Sequence, residues 1–168
     1  IVEDKVTDDA LAIRTIRFAN NIRLNLKQTD LSQDRINVHL SIDGGAMLSS
    51  REAPLAVVLT GLLAAGGLGV HSADELQSIL AGRSVGMGLR SNAQTFSSGA
   101  TTTPRDLDLQ LRLMAALIID PGYRAEGIGP WRAGLEDFFA RLGRTPQSAL
   151  SEALGPLLDP LGADEIPP

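Results

Sequence analysis

The sequence predicts an α+β fold: an antiparallel sheet of about five strands covered by helices on one side. Three observations carry this. Apolar residues alternate along several short stretches, as strands with one buried face require. Elsewhere they recur at helical spacing behind Pro or Ser starts. The strand-like stretches succeed one another in hairpin-like order, with helices between and after, which favours antiparallel pairing and helices on one face.

Residues 15–18 and 22–27 alternate on either side of Asn20-Asn21, a pair that tolerates the positive φ of a tight turn, so they form a hairpin. Residues 35–43 place Ile36, Val38, Leu40 and Ile42 on one face. Asn37, His39, Ser41 and Asp43 fall on the other, which meets water or a partner. Over residues 52–65 the period changes. Leu55, Val58, Leu59, Leu62 and Leu63 share one side of a helix, with Pro54 near its first turn and Gly66-Gly67 at its end. Val58 and Leu62 are expected to be buried against the sheet.

Ser72 with Glu75 makes a capping box for a second helix, whose apolar face is Leu76, Ile79 and Leu80 and whose end is Gly82. Two strands come next, 84–90 and 95–101. The first groups Val85, Met87 and Leu89 and leaves Gly86 and Gly88 opposite, where a closely packed neighbour or a ligand fits. Thr103-Pro104-Arg105-Asp106 starts a helix that runs to Ile119 with Leu107, Leu111, Met114 and Ile118 at helical spacing, and Asp120-Pro121-Gly122 stops it. Trp131, Leu135, Phe138, Phe139 and Leu142 mark another helix, its aromatic residues read as core. Thr145-Pro146 opens a last one through Leu154.

At 168 residues the chain reads as a single domain, 1–168, long enough to bury roughly 70% of the surface its unfolded form exposes. It starts at Ile1 rather than methionine and is read as a piece of a longer multi-domain protein, with 163–168 as an exposed tail. Hydrophobic residues at 43% and charged residues at 21% exclude a disordered chain or a coiled coil. The apolar stretch 55–68 is too short to span a bilayer, so no membrane segment is expected. The absence of cysteine removes disulfides, thiolate zinc sites and a cysteine nucleophile. A net charge of −5 without blocks of one sign, and only six aromatic residues, disfavour nucleic acid as a partner.

His39, Ser41 and Asp43 invite a triad reading, but they stand at i, i+2 and i+4 of one strand, roughly 7 Å apart per step. Triad members need hydrogen-bond reach of about 3 Å, so a solvated or partner-facing strand face is the better reading. The glycines at 66, 67 and 69 lack the Lys-Ser/Thr of a phosphate loop and read as a helix terminator. Two histidines, His39 and His71, are too few for a protein-only zinc site unless carboxylates complete it.

Several of these pieces occur together in a known order. The hairpin around Phe18-Ala19-Asn20-Asn21-Ile22-Arg23-Leu24, a long strand ending in Gly44-Gly45-Ala46, a helix, and then Gly69-Val70-His71-Ser72-Ala73-Asp74-Glu75-Leu76 resemble a pitrilysin/insulinase-type zinc metallopeptidase domain. The resemblance runs from about residue 14 to about residue 142. Active members carry an inverted zinc motif, H-x-x-E-H, on the first helix, two histidines binding the metal and the glutamate activating water. Here that helix reads Val57-Val58-Leu59-Thr60-Gly61-Leu62-Leu63-Ala64-Ala65, with neither histidine nor glutamate. A later glutamate ligand of the family would correspond to Glu136, which alone would hold no zinc. The resemblance therefore implies the inactive, non-catalytic type of domain, with no catalytic, cofactor or metal residues of its own.

The resemblance also implies a clamshell in which this domain faces a catalytic peptidase domain of the same fold, in the same chain or as a separate subunit, around a chamber that encloses peptide substrates. Zinc is expected in that catalytic domain and not in this one. Asn37, His39, Ser41 and Asp43 are the candidates for the chamber side. The family's inactive half carries a substrate-gripping Arg/Tyr pair, but the pattern around Tyr123 and Arg124 does not match it. A structural or assembly subunit of the same fold, with no proteolytic role, is the alternative. The resemblance suggests a periplasmic location, and basic residues that are mostly arginine suit a bacterial source.

Overall fold

The structure, a computed structural model, describes residues 2–8, 10–50, 52–53, 55–141 and 144–158. Within these it describes all side chains but those of 2–8, 58, 138–139, 148, 151–152, 155–156 and 158. Pro54, Leu142 and the 163–168 tail lie outside the described residues, as do the side chains of Val58, Phe138 and Phe139. The chain divides into two compact units, 1–35 and 36–168, a division that no linker in the sequence announces.

The first unit is a three-stranded antiparallel sheet, β1 (Val2–Asp8), β2 (Ile13–Phe18) and β3 (Arg23–Lys27), in that order. Its second turn is the expected hairpin. Asn21 sits at φ +65°, and Phe18 N–H donates to the Ile22 carbonyl at 2.9 Å. The Asn20 side chain accepts from Ile22 N–H at 3.3 Å, which is how a short polar side chain fixes such a turn. The sequence reading missed β1 because residues 2–8 hold four charges and only two apolar residues, too few for an alternation to show.

The second unit holds another three-stranded antiparallel sheet, in the order β4-β6-β5, formed by β4 (Ile36–Asp43), β5 (Arg90–Ser91) and β6 (Thr95–Thr102). β4 and β6 pair over eight rungs, from Ile36 opposite Thr102 to Asp43 opposite Thr95. The expected single sheet of about five strands is thus two three-stranded sheets. The strand expected at 84–90 enters a ladder only at its last residue, because side chains of a helix hold the backbone before it.

Helices α1 (Ala56–Leu59), α2 (Ala73–Ile79), α3 (Leu107–Ile119), α4 (Gly129–Arg141) and α5 (Pro146–Leu158) complete the described residues, with 3-10 turns at Gly45–Leu48, Thr60–Gly66 and Ala125–Gly127. The helix expected over 52–65 is therefore one α turn followed by 3-10 geometry. Thr60 supplies a reason: its hydroxyl donates to the Val57 carbonyl at 2.6 Å, the group that Gly61 N–H would bind in an α-helix. The capping box of α2 is present as expected, with Ser72 N–H donating to Glu75 Oε2 at 2.8 Å and Glu75 N–H to Ser72 Oγ at 3.3 Å. The Ser72 N–H, and then the Ser72 hydroxyl that donates to the same oxygen at 3.1 Å, hold the Glu75 carboxyl below its usual range.

The core joins Leu68, Leu76, Leu89, Leu113 and Leu117, with Leu63, Leu80, Val85 and Phe96 packed around them. One expected face is turned and another is narrower than expected. On α3 the buried stripe is Gln110, Leu113, Met114 and Leu117, while Leu111 and Ile118 are exposed. On α2, Leu76 and the following Leu80 join the core as expected, and Ile79 is exposed. Leu62 is only half-buried and lines an apolar cavity of about 340 Å³ with Leu59, Tyr123, Arg124 and Ile128, and it is its neighbour Leu63 that joins the core. The expectation for Leu62 fails because the 3-10 segment rotates each side chain about 20° further per residue than an α-helix does.

Candidate functional site

Asn37, His39, Ser41 and Asp43 are all exposed on one face of β4. Register puts Thr101, Gly99, Ser97 and Thr95 of β6 directly opposite them, and Arg90 of β5 opposite Ser97. Directly paired residues share a face, so the polar strip of one strand is part of a polar sheet face. Its members are linked by their own hydrogen bonds. Thr101 donates to Asn37 Oδ1 at 2.9 Å, and Asn92 Nδ2 donates to Ser97 Oγ at 2.9 Å and to Thr95 Oγ1 at 3.3 Å. A cavity of about 400 Å³ opens on this face between His39, Gly88, Arg90, Ser97 and Gly99. The structure brings His39 to that cavity and leaves Asn37, Ser41 and Asp43 beyond its lining.

Arg90 and Ser97 escaped the sequence reading. The signal was there for Ser97, since polar or small residues occupy 95, 97, 99 and 101 of the predicted second strand. Arg90 needed the register, which the sequence does not state.

A second constellation holds this face in place. Asp106 and Gln110, four residues apart on one side of α3, are fully buried and reach the backbone of 83–86. Ser84 N–H donates to Asp106 Oδ2 at 2.9 Å. Gly86 N–H donates to Gln110 Oε1 at 2.7 Å, and Gln110 Nε2 donates to the Gly86 carbonyl at 2.8 Å. The side-chain amide thus makes the pair of bonds a neighbouring strand would make. Arg83 and Arg105 also donate to Asp106, at 3.0 and 3.2 Å. The Ser84 N–H, then the arginines, lower the Asp106 pKa to about 2.

The third constellation surrounds the glycine loop. Arg124 donates to the carbonyls of Gly66, Gly69 and His71 at 3.0, 2.7 and 2.8 Å. Gly67, at φ +77°, and Gly122 leave no room for a Cβ: one at Gly67 would strike the His71 carbonyl oxygen, and one at Gly122 the Gly66 carbonyl oxygen. These glycines therefore do more than terminate a helix, because they let two backbones touch. Arg124 is occupied by this loop, and Tyr123 is exposed beside it.

The helical segment 57–65 offers no imidazole, carboxylate or thiolate, so its residues do not fit a zinc ion. Glu136 is exposed on α4. Among the described residues, no three of His, Asp and Glu stand together as metal ligands would. No helix among them is long and apolar enough to cross a membrane.

No family model matches the sequence, and no curated protein matches it. Solved structures do match the fold. The ferredoxin protease FusC, as a point variant in complex with Arabidopsis ferredoxin, matches 93% of this chain over 17% of its own, with a TM-score of 0.79 at 14% identity. The periplasmic protease PqqL from Escherichia coli matches 94% of this chain over 18% of its own, with a TM-score of 0.70 at 12% identity. The first half of PqqL alone matches 92% over 34% of that chain, with a TM-score of 0.69 at 12% identity. The chain spans less than a fifth of the FusC and PqqL chains. What it shares with these pitrilysin-type peptidases is the fold of one segment.

Proposed function

We propose that this chain is a non-catalytic, substrate-enclosing domain of a zinc-dependent peptidase. It faces a catalytic domain of the same fold, in the same chain or in a partner subunit, and the zinc resides there. The supporting observation is a combination: 93% of the chain takes the fold of a segment of a much longer protease, while the segment 57–65 carries apolar and small residues in the place of H-x-x-E-H. The polar sheet face with Asn37, His39, Ser41 and Asp43 is the wall turned to the peptide, and the compartment is the periplasm, as for PqqL.

The test compares this chain with the complete gene product and any peptidase subunit encoded beside it. After mild dialysis the 168-residue chain is expected to bind no stoichiometric zinc and to cleave no peptide. The complete assembly should hold one zinc per catalytic domain and cleave unfolded peptides. One zinc bound by this chain alone would overturn the non-catalytic reading. An assembly free of zinc and of cleavage would leave a purely structural subunit in its place.

A further inference from the structure

The ladder between β5 and β6 stops one rung early. Asn92 N–H donates to the Thr95 carbonyl at 2.8 Å, and the pairs Ser91–Phe96 and Arg90–Ser97 continue from it. Antiparallel rungs alternate between hydrogen-bonded and non-bonded pairs. Asn92–Thr95 and Arg90–Ser97 are therefore bonded rungs, and Gly88–Gly99 would be the next. That rung is not made. Upstream of Arg90 the backbone turns to α3, where Gln110 takes both polar groups of Gly86 and Asp106 takes the Ser84 N–H. The strand thus leaves the β6 ladder at Gly88, although a Cβ at Gly86 would again lie 3.3 Å from Ala100 Cβ, and the cavity of about 400 Å³ occupies the parting.

Its lining is rich in unused polar groups. Among the described residues, Gly88 makes no backbone hydrogen bond, and neither the Arg90 guanidinium nor the His39 imidazole has a hydrogen bond or ion pair. Both are exposed. A Cβ at Gly88 would meet nothing within 4 Å, so the slot is open there, while a Cβ at Gly99 would lie 3.7 Å from His39 Nδ1. The slot therefore offers a guanidinium, an imidazole and, from Gly88 and from Gly99 across the unmade rung, backbone N–H groups together with backbone carbonyls. A lone acidic side chain would use the donors and leave the carbonyls unmatched. The end of a peptide main chain uses both, because its carboxylate accepts and its last amide N–H donates.

We propose that the slot where β5 parts from β6 binds the C-terminal carboxylate of a peptide. Arg90 and the Gly88 N–H hold the carboxylate, the Gly88 carbonyl accepts the last peptide N–H, and His39 closes the slot across Gly99. A charge-assisted contact to a guanidinium fixes the end more strongly than a neutral one. The peptide itself would come from the chamber of the proposed peptidase, and on that point the subsite rests on the preceding reading.

The probe is an unstructured Gly/Ala decapeptide in three forms: free C-terminal acid, C-terminal amide, and amide with one internal Glu. Each is titrated into the isotope-labelled chain, tracking the backbone amide signals. The free acid should shift Gly88, Ser97 and Gly99 together. The C-terminal amide, with or without the internal Glu, should bind at least about tenfold more weakly, the value of one charge-assisted contact. Arg90→Gln should weaken the free acid by a similar factor and leave the amide unchanged. Gly88→Val, whose Cβ enters open space, should block the slot with the fold intact. Equal affinity for acid and amide, preference for the internal Glu, shifts elsewhere, or no shift at about 10 mM acid would overturn the subsite. None of these readouts involves zinc or cleavage, so the subsite and the peptidase reading fail separately.

Discussion

Two stretches of the second unit lie outside its named strands and α-helices, and different side chains hold them: a carboxylate and an amide hold one, a guanidinium the other. Residues 83–86 present N–H groups, and Ser84 and Gly86 donate theirs to Asp106 and Gln110. The loop 66–71 presents carbonyls, and Gly66, Gly69 and His71 accept from Arg124. Each clamp suits the groups it meets: Asp106 accepts, Gln110 both accepts and donates at Gly86, and Arg124 donates to carbonyls, because backbone polar groups are not left unpaired without cost. The locations differ as well. Asp106 and Gln110 are fully buried on a helix that also carries Leu113 and Leu117 of the core, whereas Arg124 is half-buried beside exposed Tyr123. The first clamp is part of the packing and sensitive to acid. The second is a surface fork built from one planar guanidinium.

The largest break should come from Gln110. Its replacement by Ala removes a fully buried side chain and orphans both polar groups of Gly86, a cost of about 3–5 kcal/mol. Urea unfolding would measure it, and a loss under about 1 kcal/mol would show that water replaces the amide at no cost. Arg124→Ala comes next, at about 2–3 kcal/mol, because its three carbonyls are nearer the surface and can recruit water. Arg124→Lys should recover less than half of that loss, since an ammonium cannot reproduce the fork of a guanidinium. Full recovery by Lys would mean that charge alone, not geometry, holds the loop.

These clamps mark where the sequence stops being legible. The hairpin at Asn20-Asn21, the alternation of β4 and the Ser72/Glu75 box are local patterns, set by residues within four positions of one another, and each formed as read. Asp106 and Gln110 act across 22 and 24 residues, so nothing near them announces the role. Read locally, Asp106 is part of a helix start, and nothing singles out Gln110. The true stripe of α3 is shifted because these two polar residues face inward. The same long-range capture hid the fate of 84–90, whose sequence has the alternation of a strand but whose hydrogen bonds go to a helix. Of the candidate site, the β4 half was visible in its period of two, while Arg90 became visible only through the register of β5 on β6.

Acid sharpens the comparison at Asp106. Its folded pKa, about 2, lies below the ordinary 3.8. The ionised form is thus favoured by folding: its stabilisation is complete above about pH 4 and disappears as pH falls towards 2. Asp106→Asn should remove this dependence, so the stability difference between parent and variant narrows over that interval. Arg124→Ala should show a smaller change over the same range, through the loss of its minor lowering effect on the Glu75 carboxyl. Thermal unfolding from pH 2 to pH 6 would check both, and a parallel course of parent and Asp106→Asn would show that the Ser84 N–H and the two arginines do not favour the charge.

The smallest effect is expected at Arg90, the cation that resembles Arg124 in type and differs from it in having no partner among the described residues. Arg124 is satisfied by three carbonyls of its own chain, so its removal costs stability. Arg90 stands at the last rung of a two-residue strand, exposed beside the parting of β5 from β6, and holds nothing. Arg90→Gln keeps a long polar side chain at a strand position where propensity differences are small. The unfolding free energy at pH 7 should stay within about 0.5 kcal/mol of the parent, the range of a surface change that breaks no contact. A loss above about 1 kcal/mol would make Arg90 a third clamp, closed onto the carbonyls of the slot, and would leave the parting of the strands with no free cation to offer a ligand.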